Sequence, residues 1–173
     1  MTTTKWPGLD AIDEGYYAVL DPDEEGTVTY WRRVRAKKVD TLKPWPTKAW
    51  WGPPIPLRAE VPTDPDERNQ FVAAWSESRR AYLGKIVAAI TADPRAAARR
   101  FADFRSRCCQ CARALRDDLS KTYGIGPECR KGMTPAVLAQ FFTPQVGRLH
   151  AEHLAAGAHN DSGRPSADLE ITP

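Results

Sequence analysis

The sequence predicts an α+β fold, and three observations predict it. Residues 15–43 hold apolar and aromatic runs of strand character around an acidic turn, whereas residues 66–106 repeat their apolar positions at helical spacing. Between them, residues 44–65 carry seven prolines, which neither a helix interior nor a central strand accepts. All four cysteines then fall in one 22-residue window, Cys108-Cys109-Gln110-Cys111 and Cys129. The expected architecture is an N-terminal β-hairpin, a helical middle, a small treble-clef-like zinc module and C-terminal helices.

Taken in order, residues 1–14 are polar, without periodicity, and expected to be loose. Tyr16 to Leu20 reads as a strand, Asp21 to Gly26 as a turn in which Pro22 sets φ and Gly26 closes the reversal, and Thr27 to Arg35 as the return strand. Alternation puts Val28, Tyr30 and Val34 on one face with Arg32 between them, and Trp31, Arg33 and Arg35 on the other. A third short strand is expected near Val39 to Leu42, completing the hairpin region 15–43. The connector 44–65 is extended, with Trp45, Trp50 and Trp51 available to pin it.

A helix begins near Thr63-Asp64-Pro65-Asp66-Glu67, where a capping residue, a first-turn proline and two acids coincide. Its stripe is Phe71, Trp75, Tyr82, Leu83, Ile86, Val87 and Ile90. Asp93-Pro94 restarts the pattern, giving a second helix from Arg95 to Arg107 anchored by Phe101 and Phe104. The helical segment thus covers 66–106 and the zinc-finger-like module 107–133. Thr134-Pro135 and Thr143-Pro144 start two further helices within 134–157, carrying Val137, Leu138, Phe141 and Phe142, then Val146, Leu149 and Leu154. Residues 158–173 are expected to form a disordered tail.

Cys108-x2-Cys111 is a zinc-knuckle spacing, which sets two thiolates at the ends of a tight turn. Before Cys129 stands Gly124-Ile125-Gly126-Pro127, which fits a sharp turn into a helix with proline in its first turn. Cys129 would then lie where the helix dipole and free N–H groups favour a thiolate. Zn2+ is the expected cofactor, with Cys108, Cys111 and Cys129 as ligands. The fourth ligand is open between Cys109, which is strained as a neighbour of Cys108, His150 or His153, a carboxylate such as Asp117 or Asp118, and water. Thiols without metal, or a redox Cys-x2-Cys pair, are the competing readings.

This stretch resembles a family of actinobacterial and actinophage proteins of unknown function, whose recurring pattern is C-x-x-C-G-R-x-L-T-D-P-x-S followed by G-I/Y-G-P-x-C. Arg113, Leu115, Asp117, Ser120, Gly124, Gly126, Pro127 and the three cysteines fall into register without a gap. Ala112 replaces the usual glycine at a position that would be left-handed, and Arg116 and Asp118 replace the usual threonine and proline. The resemblance implies a zinc-finger-like module and implies no activity.

Charge supplies the functional expectation. Residues 10–25 carry seven acids and no base, while residues 28–51 carry seven bases and one acid. The latter stretch interleaves Arg32, Arg33, Arg35, Lys37, Lys38, Lys43 and Lys48 with Trp31, Trp45, Trp50 and Trp51, and Arg95, Arg99, Arg100, Arg105 and Arg107 lead into the cysteines. Cations that meet phosphates and rings that stack on bases point to nucleic acid, with a solvated basic surface as the plainer reading. The expected contact set is Trp31, Arg32, Arg33, Arg35, Lys37, Lys38, Trp50, Trp51, Arg99 and Arg100.

A protein–protein adaptor or phage factor acting on a host protein is the alternative, with the Trp/Pro connector as its surface. A metal-dependent enzyme with an open zinc position is the third reading. His150-Ala-Glu-His153 lacks the H-E-x-x-H spacing, and no G-x-S-x-G, P-loop or dinucleotide fingerprint occurs, so a non-enzyme is expected. No apolar run nears the ~18–20 residues of a membrane span, and Met1-Thr-Thr-Thr-Lys-Trp-Pro lacks a signal-peptide core, so a cytoplasmic protein without membrane contact is expected.

Overall fold

The computed structural model describes residues 8–36 and 39–141. The hairpin forms and acquires its third strand: β1 (Gly15–Leu20), β2 (Val28–Ala36) and β3 (Val39–Pro44) make an antiparallel sheet in the order β1-β2-β3. Tyr17 stands opposite Trp31, and Arg32 opposite Lys43. The acids of the β1–β2 turn have a local use, since Asp21 Oδ1 accepts from the backbone N–H of Asp23 (2.9 Å) and Glu24 (3.1 Å). A 3-10 turn, Leu9–Ala11, precedes the sheet.

Helix α1 (Pro65–Ala92) starts as its signals predict: the Asp64 carboxylate accepts from the N–H of Asp66 and Glu67 and proline fills the first turn. Asp93 caps α2 (Pro94–Arg105) through Ala96 N–H at 2.9 Å. Three short helices follow, α3 (Asp118–Tyr123), α4 (Pro127–Lys131) and α5 (Pro135–Gln140). Among the described residues no helix is long and apolar enough to cross a membrane.

Three sequence expectations need correction. Trp31 and Arg33 of β2, expected among the nucleic-acid contacts, are not open to water: they are buried with Thr29, while Val28, Tyr30 and Val34 are half-buried. Helices cover both faces, Tyr82 of α1 reaching Trp31 and Phe101 of α2 reaching Tyr16 and Tyr30, so the alternation does not mark a wet side. Next, the stripe of α1 is buried only from Tyr82 onward, because the earlier turns pack against the connector instead of the sheet. Trp75 Nε1 donates to Pro54 O (2.9 Å), Arg79 donates to Trp51 O, and a Cβ on Gly52 would sit 2.4 Å from the Tyr82 ring. Finally, α2 ends at Arg105 and not at Arg107. Ser106 turns left-handed (φ 49°), which frees Arg107 for the next turn and leaves Phe104 57 % exposed where an anchor was expected.

One core joins the sheet, the second half of α1, α2 and the cysteine turn, where Cys108, Cys109, Leu115 and Ile125 are buried with Tyr16 and Phe101. The second C-terminal helix start, His150, His153 and the tail lie outside the described residues, as do residues 1–7 and Lys37 and Lys38.

Candidate metal centre and basic face

The knuckle is built by backbone pairing. Arg107 and Ala114 form an antiparallel bridge, Cys108 N–H donates to Arg113 O (2.8 Å), and Ala112 N–H returns to Cys108 O (2.8 Å). The chain closes this tight loop by placing Ala112 in the left-handed region (φ 59°). Cys108 and Cys111 stand at the ends of the loop. Gly124, left-handed at φ 70°, ends α3, and Gly126 and Pro127 then open α4, whose third residue is Cys129. Arg130 fixes α4 to α3 by donating to Ile125 O (2.7 Å) and Ser120 Oγ (3.1 Å).

The Sγ atoms of Cys108, Cys111 and Cys129 all lie within 4.8 Å of one another. Tetrahedral zinc with bonds near 2.3 Å separates its sulfurs by about 3.8 Å, so a small contraction brings the three onto one ion. Burial alone would raise the Cys108 thiol, but N–H groups of Gly126, Gln110 and Cys111 and the Cys111 side chain point at its sulfur and hold its pKa below the usual value. Burial pushes Cys129 up to about 12, aided by its hydrogen bond with Cys111 and the Cys108 charge, which keeps that proton in place until a cation displaces it. The donor chemistry therefore fits a thiophilic metal.

Cys109 does not join them. Its N–H donates to Gly124 O (3.0 Å), its carbonyl accepts from Tyr16 N–H (2.7 Å), and its thiol is buried, with a pKa pushed up to about 12 by burial and the neighbouring Cys108. Among the described residues neither Asp117 nor Asp118 joins the three sulfurs. Asp117 instead caps α3 through Ser120 N–H (2.7 Å). Sequence reasoning missed α3 and the buried Ser120, although Asp117 followed by an acid in the first turn is a cap signal.

A family model matches residues 98–134: a family of unknown function, DUF6011. The match runs from the middle of α2 through the knuckle, α3 and α4, so it contains the three converging cysteines and the Gly-Ile-Gly-Pro turn. It agrees with the motif likeness in pointing to a family without an assigned function. No curated protein and no solved structure matches the chain.

Among the described residues of the expected contact set, Trp31 and Arg33 are buried, so those residues do not form one open surface. Trp31 is buried and donates to Thr29 Oγ1 (2.8 Å). Arg33 is 0 % exposed, donates to Val34 O (2.7 Å) and Leu9 O (3.1 Å), and pairs with Asp40. Arg99 and Arg100 are half-buried ties, to Thr122 O and to Ala18 O (2.9 Å). Trp50 stacks on Trp75, Trp51 is half-buried beside Tyr30, and exposed Arg35 donates to Asp10 O (3.2 Å).

A different set does converge. Arg105 lies 5.1 Å from the ring centres of both Tyr30 and Trp45, Arg107 lies 5.8 Å from Trp45, and Arg32 lies 5.6 Å from Tyr16. Tyr16 and Trp45 are themselves 6.3 Å apart, and Lys43 stands directly opposite Arg32. Among the described residues no carboxylate pairs with Arg32, Lys43, Arg105 or Arg107.

Proposed function

We propose that this chain is a non-enzymatic, zinc-stabilised binding protein that contacts nucleic acid through the face formed by Arg32, Lys43, Arg105 and Arg107. The observation that carries the reading is the gathering of these four cations around Tyr16, Tyr30 and Trp45 without carboxylate partners. Arg32 and Lys43 are like charges directly opposite one another, which costs the isolated sheet stability and is relieved when an anion bridges them. Phosphate neutralisation is the mechanism. Zn2+ held by Cys108, Cys111 and Cys129 would fix the knuckle from which Arg105 and Arg107 project.

Metal content measured on the purified protein should give one zinc per chain. Four phosphate contacts should give a log–log salt slope near −3.6 on duplex DNA, or about a 150-fold loss of affinity from 50 to 200 mM salt. Absence of binding, or binding indifferent to salt, would overturn the reading.

The adaptor reading has one observation in its favour. Ile55 and Leu57 of the connector are 59 % and 68 % exposed, an apolar offering that phosphate binding does not use. On that reading, Ile55→Asp with Leu57→Asp should abolish the protein complex while leaving salt-dependent phosphate binding unchanged.

A further inference from the structure

The aromatic rings that suggested base stacking are occupied within the protein. Of the five tryptophans among the described residues, Trp31 is buried against Tyr82, and Trp50 and Trp75 stack on each other with Arg79 4.2 Å from the Trp50 ring centre. Trp51 is half-buried beside Tyr30. Trp45 meets Phe101 in a T-shaped pair, ring centres 5.1 Å apart, and carries both Arg105 and Arg107. The tyrosines of the basic face are covered in the same way, Tyr30 by Arg105 and Tyr16 by Arg32.

A ring bearing a guanidinium has given up the surface on which a base would stack. The arginine, in exchange, is held in one orientation by the ring and keeps N–H donors for an outside acceptor; Arg107, half-buried, gives one of its donors to Ala112 O (2.8 Å) and keeps the rest. Rings on this face are platforms for arginines, and the arginines with Lys43 are what the face offers. Their chemistry matches phosphate oxygens.

From this we infer that the face grips the phosphodiester backbone alone, without base stacking or readout of base edges. The inference rests on the nucleic-acid reading above and narrows its ligand to the shared backbone of any strand. It also removes the stacking role that the tryptophans have in the sequence reading. Phe104, exposed and adjacent to Arg105, is the residue that could contradict it, and the test includes it.

The probes are a thymidine strand of about 20 nucleotides, long enough for a groove-sized site, and a base-less strand of equal length, each titrated with the zinc-loaded full chain by fluorescence anisotropy. One stacked base is worth about five- to 150-fold in affinity. The expected result is dissociation constants within about fivefold for the two strands. Lys43→Gln with Arg105→Gln, surface changes whose fold is checked by circular dichroism, should weaken both strands alike. A base-less strand more than about fivefold weaker, or Phe104→Ala weakening only the base-bearing strand, would overturn backbone-only binding and leave the nucleic-acid reading standing. If neither strand nor any duplex binds, the nucleic-acid reading itself falls.

Discussion

Arg32 and Arg33 are chain neighbours that β2 turns in opposite directions. Arg32 is exposed over Tyr16, whereas Arg33 is buried and satisfies the Leu9 and Val34 carbonyls and Asp40. Arg33→Ala would leave those acceptors unpaired and open a cavity, so it should cost about 3 kcal/mol or more in urea unfolding. Arg32→Ala should change stability by less than about 0.5 kcal/mol and weaken nucleic-acid binding instead. Equal stability losses for the two variants would contradict the placement of Arg33. Tyr82 supplies a pH signature. Burial, then its hydrogen bond to Asp21 Oδ2 (2.7 Å), raises its pKa in the folded state. A raised folded pKa contributes stability that is complete below the unfolded value, near 10, and is lost as pH rises toward the folded value. Wild type should therefore exceed Tyr82→Phe by about 1 kcal/mol at pH 8 and lose that advantage progressively above pH ~10. Tyrosinate absorbance recorded alongside denaturation would check this, and a constant gap across the range would refute it.

The elements show which local signals reach the fold and which are overridden. Ala112 is the clearest case of a legible strain: the likeness placed glycine there, and the backbone is left-handed at φ 59°. Ala112→Gly should raise stability by about 1 kcal/mol, because an L-residue with a Cβ is disfavoured in that region. Gly124 is the converse, since its φ is +70° and a Cβ would sit 2.8 Å from Ala102 Cβ where the knuckle meets α2. Gly124→Ala should cost about 2–3 kcal/mol and lower metal affinity. Thermal melts of the two variants should move in opposite directions. The same contrast marks what the sequence could reveal. Asp64-Pro65, Asp93-Pro94 and Thr134-Pro135 place helix starts at the right residues because a cap and a fixed φ act locally. The spacing of Cys108, Cys111 and Cys129 is likewise local enough to read. The faces of β2, the depth of the α1 stripe and the exposure of Phe104 depend on which helix lands where, and no spacing within a strand encodes that. Cys109 shows the limit within the site itself: its adjacency to Cys108 made it a ligand candidate, and its use became visible only with Gly124 and Tyr16 as its backbone partners.

At the scale of the whole molecule, the cysteine turn is part of the sheet's own support. Cys109 O accepts from Tyr16 N–H on the outer edge of β1, and Arg100 covers the same strand by donating to Ala18 O. These contacts close an edge that would otherwise offer unpaired groups to another chain. Cys108, Cys109, Leu115 and Ile125 share one core with Tyr16, Phe101 and Ile90. If the three thiolates hold zinc, the binding free energy, on the order of 10 kcal/mol for a structural site, is comparable with the 5–15 kcal/mol total stability of ordinary domains. Removing the ion should therefore release the sheet as well as the knuckle. Trp31 is the natural reporter, being buried in β2 beneath Tyr82 and not among the residues of the cysteine turn. On titration with a chelator, the shift of its indole N–H resonance in the NMR spectrum and the loss of far-ultraviolet dichroism should follow one transition coincident with metal release, and added zinc should reverse it. Cys129→Ser should resemble the stripped protein without chelator, since it removes the ligand that α4 contributes. A Trp31 signal that stays native after the metal has left would show that the sheet and helices stand alone, and would reduce the cysteine turn to an appendage of an independent core.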